Sequence, residues 1–348
     1  MNRTMSQQQQ QGPRVYIITN RDPDDNARQL SDDARYDHIR TQTDLSIPPY
    51  VLYRNNGGYN ELFDDQVLDT AHRESALRRL FGKTLPTDAI LFVHGFNNSI
   101  SEAQQYANQI LAATQKNVIV YSWPCSHDNW RPASSYAIDC EMAVTSIATL
   151  NWVLDLLLNN SIKLDIMAHS MGSRIVVGSI SNIAHDYRLL EQDRNHPCYE
   201  RYSRMITNIQ TIVFIEPDID VINMADFVAK ELPTLNSTPR PAIQTYIYVH
   251  NDDKVLQCSQ IIHDNRPRVG QLIGAQTLIN RLTNQTNIPR KMIHLTIMNM
   301  SRMRLVCRHT PRWVYPSGNH TYFDQPLFRD SIIALLAGEY ITMEWVDL

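Results

Sequence analysis

The sequence predicts an α/β protein, a mostly parallel sheet of eight strands with helices on both faces. Three observations point there. Short β-branched and apolar runs alternate along the chain with stretches whose apolar residues recur every three or four positions, the order expected of strand–helix–strand units. Several runs, such as Ala89-Ile90-Leu91-Phe92-Val93, are apolar throughout, as a strand covered on both faces requires. In Asp165-Ile166-Met167-Ala168-His169-Ser170-Met171-Gly172-Ser173-Arg174 a strand runs into a sharp turn and a helix follows at once.

Val15-Tyr16-Ile17-Ile18-Thr19 reads as the first strand, closed by Asn20-Arg21-Asp22-Pro23. Residues 21–48 are charged and irregular. Residues 49–53 form the second strand, ended by Asn55-Asn56-Gly57-Gly58. The third, 89–93, stops at His94-Gly95-Phe96-Asn97-Asn98-Ser99. A helix capped by Ser101 follows, with Ala103, Ala107, Ile110 and Leu111 as its buried stripe. The fourth strand, 117–121, leads into Trp123-Pro124. A long helix then spans 135–159, with Ala143, Ile147, Leu150, Leu154 and Leu157 along one side. The fifth strand, 163–167, enters the turn at Ser170, and its helix runs to about residue 190. Residues 191–206 are polar and read as an excursion between elements. The sixth strand, 209–215, ends at Glu216-Pro217-Asp218-Ile219-Asp220, and a helix covers 225–232. The seventh, 245–249, ends at His250-Asn251-Asp252-Asp253. Residues 255–290 mix helix and loop. The eighth strand, 294–298, is followed by an arginine-bearing segment, then Pro316-Ser317-Gly318-Asn319-His320 and a closing helix over 326–336. No repeat period is present.

Composition narrows the function classes. With 43% hydrophobic and 20% charged residues, the 348-residue chain has the make-up of a globular protein able to bury a core. A formal charge of −4 leaves no electrostatic footprint for nucleic acid. Five cysteines without C-x-x-C spacing argue against a disulfide framework or a zinc site and fit a reducing, cytoplasmic setting. Residues 1–13, rich in glutamine, read as a disordered tail with no secretory signal, and 14–348 as one domain. The apolar stretch 143–158 is interrupted by Asn151 and Asp155 and falls short of about 18 uninterrupted apolar residues, so a buried helix is expected there rather than an integral membrane segment. No H-E-x-x-H, P-loop or dinucleotide fingerprint occurs, so no metal or other cofactor is expected.

The chemistry gathers at the carboxyl ends of the strands, where an open parallel sheet delivers its loops to one edge. A serine hydroxyl needs a base to take its proton, so it must project clear of the backbone. Ser170 meets that need on a turn of the G-x-S-x-G type, with Ala168 in place of the first glycine and Gly172 as the second. The helix that begins near Met171 aims its free N–H groups and its dipole at the same spot. Asp253 follows the seventh strand and His320 lies beyond the eighth. The order Ser, Asp, His is that of the α/β hydrolases. The bland alternatives are a helix-capping serine and a histidine satisfied in the core or at the surface. Asp252 and Asp218 compete with Asp253 as the acid, and Asp218 or Asp220 could cap the following helix. His94 reads as a loop-shaping residue and His169 as a neighbour packed on the sheet. Trp123, Trp130 and Trp313 are candidates for an acyl pocket or for ordinary core packing, and Arg302, Arg304, Arg308 and Arg312 for an anion site or a solvated face.

From about residue 14 onward the chain resembles the α/β-hydrolase superfamily, and more closely an uncharacterised bacterial branch of serine hydrolases. The likeness rests on Thr19-Asn20-Arg21, Val93-His94-Gly95-Phe96-Asn97, Tyr121-Ser122-Trp123-Pro124, residues 168–172, Pro217-Asp218, Asp253-Lys254-Val255-Leu256 and His320-Thr321-Tyr322-Phe323. It implies a Ser170–Asp253–His320 triad acting on an ester or similar acyl bond and supplies no substrate; a small-molecule or lipid acyl ester is the expected one, and the backbone N–H groups of Phe96 and Met171 are the expected oxyanion donors. An acyltransferase or thioesterase with the same triad, or a non-catalytic interaction module on the same fold, is the alternative.

Overall fold

Apolar runs that must be covered on both faces are buried most fully side by side in one sheet with helices above and below. The computed structural model describes residues 12–21, 51–55, 58–62, 70–125, 132–237, 241–285, 292–301, 326–336 and 345–347. Within them the chain forms β1 (Val15–Thr19), β2 (Leu52–Asn55), β3 (Gly58–Glu61), α1 (Thr70–Phe81), β4 (Asp88–Val93), α2 (Ile100–Thr114), β5 (Val118–Ser122) and α3 (Pro132–Asn159). Next come β6 (Lys163–His169), α4 (Gly172–Glu191), α5 (Tyr199–Asn208), β7 (Ile209–Ile215) and α6 (Val221–Asp226), which a π-helical turn (Phe227–Glu231) joins to α7 (Leu232–Leu235). The last are β8 (Gln244–Val249), α8 (Lys254–Ile262), α9 (Leu272–Thr283), β9 (Leu295–Asn299), α10 (Pro326–Leu336) and β10 (Trp345–Asp347).

The strands make one sheet in the order β10-β9-β8-β7-β6-β4-β5-β1-β2-β3. The seven from β9 to β1 are parallel, while β2, β3 and β10 pair antiparallel at the margins. The eight expected strands are all present, and the short β3 and β10 extend the sheet. Side chains alternate between two cores. Leu91, Ile119, Ile166, Ile212 and Ile247 face the layer that holds α3, α4 and α5. Phe92, Val120, Met167, Val213 and Tyr248 face α2 and α10. Each such side chain contributes roughly 1.5–3 kcal/mol by leaving water. Because the strands are covered on both faces, they read as continuous apolar runs rather than alternating ones.

Several elements differ from expectation. Residues 199–208 form a helix, not an excursion: its outward residues are polar, but Met205 and Ile206 are buried and Tyr199 and Tyr202 pack on the core. The cap of α2 is Ser99 rather than Ser101, in a reciprocal capping box with Glu102. The helix expected over 225–232 begins at Val221, where the Asp220 carboxylate accepts from the Asn223 N–H at 2.9 Å, and reaches Leu235 through the π-helical turn. In α3, residues Ser135–Asn159 have the length and hydropathy of a membrane span, yet more than half of that stretch is buried inside the fold. Asp155, which interrupts its apolar run, is held by Arg73 and Arg201, each at 2.6 Å.

The parallel register brings the carboxyl ends of the central strands to one rim. Thr19 lies beside Ser122, Val93 beside Tyr121 and Ala168, and His169 beside Ile215.

Candidate active site

At that rim Ser170 takes φ of 50°, in the left-handed region that a residue with a side chain enters at a cost. Such strain, of order 1–3 kcal/mol, persists only where the surroundings over-determine it. Here they do. The Ser170 N–H donates to the Ile215 carbonyl at 2.9 Å, and the Ser170 carbonyl accepts from the N–H groups of Asp218 and Ser173, each at 3.1 Å. The turn is also tightly enclosed. A β-carbon on Gly172 would lie 2.4 Å from the His94 carbonyl oxygen, and one on Gly95 would lie 2.8 Å from the Ser170 β-carbon. Ala168 sits in the parallel ladder between Val93 and Phe214, buried on both sides.

Met171 is buried at the start of α4, and Phe96 is half-buried in the His-Gly loop after β4, its ring 5.5 Å from that of Tyr136. His94 is wholly enclosed. Its Nδ1 lies 2.9 Å from the Gly95 carbonyl and so carries the proton, and its ring stacks on Trp123, whose indole N–H donates to the His94 carbonyl at 2.7 Å. Burial, then the charge of Arg21, pushes its pKa down to about 3, so the imidazole is neutral. Trp123 is therefore a support of this loop. His169 is buried with its ring 6.4 Å from that of Tyr106.

The acid candidates occupy different settings. Asp253 is fully buried at the start of α8, where its Oδ1 accepts from the Leu256 N–H at 2.9 Å. Asp252 is exposed, and its N–H donates to His250 Nδ1 at 3.0 Å. Asp218 is the hub of a buried network. Its Oδ1 accepts from Ser259 at 2.6 Å and Arg268 Nε at 2.7 Å, while its Oδ2 accepts from the Tyr136 hydroxyl and, at 3.3 Å, from Arg174. Burial works to raise the Asp218 carboxyl, but the two guanidinium groups outweigh it and hold it well below the ordinary carboxylate range. The Tyr136 hydroxyl is pushed up by burial and by Asp218. A carboxylate has about four acceptor positions, and all four are taken here. His263 Nε2 lies 3.0 Å from Arg174 and 3.2 Å from the Tyr136 hydroxyl, at the outer side of the network.

Residues 69–305 match the family model described as alpha/beta hydrolase of unknown function (DUF900). The chain belongs to that family of alpha/beta hydrolases. Among solved structures this alpha/beta hydrolase is similar to esterase PE8, at 11% identity, 73% of this chain, 94% of that one and a TM-score of 0.40. A lipase/esterase from Lactobacillus plantarum matches at 11% identity over 76% of this chain and 87% of that one, with a TM-score of 0.34. Aspergillus fumigatus lipase B matches at 10% over 48% and 38%, with a TM-score of 0.23. Among curated protein sequences, none matches the chain.

In this alpha/beta hydrolase the structure brings Ser170, Met171, Gly95 and Asp218 together at one turn. His320 lies outside the described residues, as do Trp130, Trp313, Arg302, Arg304, Arg308, Arg312 and residues 1–11 of the expected tail. Sequence reasoning missed the partners of Asp218, namely Tyr136, Arg174, Ser259 and Arg268. One signal was available: Arg174 stands in the first turn of α4, directly after the turn at Ser170. No group of three or more metal-ligating side chains occurs among the described residues.

Proposed function

We propose that this alpha/beta hydrolase cleaves a carboxylic ester through an acyl-enzyme. The observation that carries the reading is the left-handed Ser170, set on a turn into which Gly95 and Gly172 are pressed too closely for any larger residue. Strain of this kind clusters at active sites, and a merely capping serine would sit in extended backbone; Ser170 itself is buried under the loop that holds Gly95. Ser170 Oγ attacks the acyl carbon, His320 takes the proton and returns it to the leaving alcohol, and Asp253 orients His320. The N–H groups of Phe96 and Met171 hold the oxyanion. The saturation of Asp218 favours Asp253 as the acid, since Asp218 would have to surrender a guanidinium or hydroxyl to hold an imidazole.

Reaction with a fluorophosphonate probe tests this reading. The wild type is labelled, Ser170→Ala is not, and His320→Ala reacts several orders of magnitude more slowly. Labelling that survives Ser170→Ala moves the nucleophile elsewhere, and a folded wild type that takes no label at all leaves the fold without the activity.

A further inference from the structure

The proposed chemistry leaves Thr19-Asn20-Arg21 without a role, although it stands at the carboxyl end of β1 on the same rim. Thr19 Oγ1 donates to the Ser122 carbonyl at 2.6 Å and accepts from the Arg21 N–H at 3.1 Å, a turn that sends the arginine inward. Arg21 is buried. Its Nε donates to Ser122 Oγ at 3.2 Å, and its Nη2 donates to the Asn98 carbonyl at 2.9 Å and lies 3.5 Å from His94 Nε2. Because His94 Nδ1 carries the proton, Nε2 is the acceptor facing that guanidinium and Ser122 Oγ. Cys125 Sγ, at 3.1 Å, shares the Asn98 carbonyl.

The loop held this way turns sharply. Asn97 takes φ of 56°, a left-handed turn that asparagine enters more readily than most residues, and both ends of the stretch from His94 to Asn98 are gripped. At one end Trp123 holds the His94 carbonyl, and at the other Arg21 holds that of Asn98. A guanidinium is a rigid planar fork, suited to setting several acceptors in fixed relation.

We propose that Arg21 is the positioning residue of the oxyanion loop: by holding the Asn98 carbonyl and the His94 ring, it sets the direction of the Phe96 N–H. The inference rests on the serine-hydrolase reading above and deepens it. The oxyanion is absent from the bound ester and develops only on the way to and in the tetrahedral intermediate, so a misdirected donor lowers kcat and leaves KM nearly unchanged. The buried positive charge also lies behind the loop at which negative charge develops.

The test compares wild type, Arg21→Met, Arg21→Lys and Ser122→Ala in hydrolysis of p-nitrophenyl butyrate, with ¹⁵N-histidine NMR of the resting proteins. Arg21→Met lowers kcat by about 10²-fold with KM within about twofold, the loss expected for one oxyanion donor, and displaces the His94 Nε2 resonance. Added guanidinium ion restores part of the lost kcat. Arg21→Lys and Ser122→Ala, which keep a cation or the fork, lose less and carry the comparison if Arg21→Met does not fold. Wild-type kcat and an unmoved His94 resonance in these variants overturn the inference while fluorophosphonate labelling of the wild type upholds the parent reading. A wild type with neither turnover nor labelling removes the parent reading and this role together.

Discussion

Gly95 and Ser170 touch so closely that a single methyl group on Gly95 would come within 2.8 Å of the Ser170 β-carbon and 2.9 Å of His169 Nδ1. The loop after β4 and the turn after β6 are therefore one packed unit. Gly95→Ala forces them apart. The expected cost is about 1–3 kcal/mol in stability, as for other overpacked sites. Displacing the loop by even part of an ångström is expected to lower ester turnover by about 10²-fold. Urea unfolding and steady-state kinetics measure the two losses, and a variant with native turnover would show that the loop and turn act independently.

The left-handed backbone of Ser170 separates strain from chemistry. Glycine enters that region freely and alanine does not. Ser170→Gly should be more stable than Ser170→Ala by about 1 kcal/mol, although both lose fluorophosphonate labelling. Paired thermal melts of the two variants decide it, and equal melting temperatures would mean that the turn relaxes once the hydroxyl is gone.

Asp218 and Asp253 should fail in opposite ways. Asp218→Asn strips the charge from a carboxylate that neutralises Arg174 and Arg268 in the interior, which is expected to cost about 3–5 kcal/mol of stability. Asp253→Asn retains a side chain able to cap α8 and should fold normally. Its ester turnover should drop by about 10⁴-fold, because an amide in place of the carboxylate leaves the imidazole base in the wrong tautomer. A turnover loss larger in Asp218→Asn than in Asp253→Asn, measured under conditions where both are folded, would transfer the acid to the end of β7.

Acid should destabilise the fold first through His94. Its folded pKa of about 3 lies below the ordinary 6.5, so between those values the unfolded chain binds a proton that the folded chain refuses. Stability is then complete above about pH 6.5 and declines as pH falls toward 3, by at most about 1.4 kcal/mol per unit. His263, lowered by burial and by Arg174 and Arg268, adds to the slope in the same direction. Asp218 acts later: its depressed pKa makes its contribution fade only as pH drops below its ordinary 3.8. In urea titrations at about pH 4 and about pH 6, His94→Gln should show a smaller difference in stability than the wild type. An unchanged difference would assign the slope to other groups.

The sheet was legible in the sequence because its central strands are buried on both faces and therefore spelled as unbroken apolar runs. Helix α5 was not, since only Met205 and Ile206 are fully buried and its remaining surface is polar. β3 and β10 are too short to leave a pattern. The turn at Ser170 was readable because its determinants lie within a few residues of each other. Asp218 was read as a rival acid or a helix cap because the groups that occupy it come from α3, α4, α8 and the segment before α9, which are distant in sequence and meet only in the fold. Thr19-Asn20-Arg21 was noticed as a likeness, but its purpose depends on acceptors that a linear reading cannot bring together.

Among the described residues the outermost strands, β3 with four residues and β10 with three, bound the sheet on its two sides. A neighbouring molecule seeking unsatisfied amides would meet a ladder of only a few rungs before the twist carried it away. Fibril growth and strand-swapped dimers both begin by such edge-to-edge templating, and among the described residues the apolar parallel strands, five to seven residues long, lie inside the sheet away from its edges.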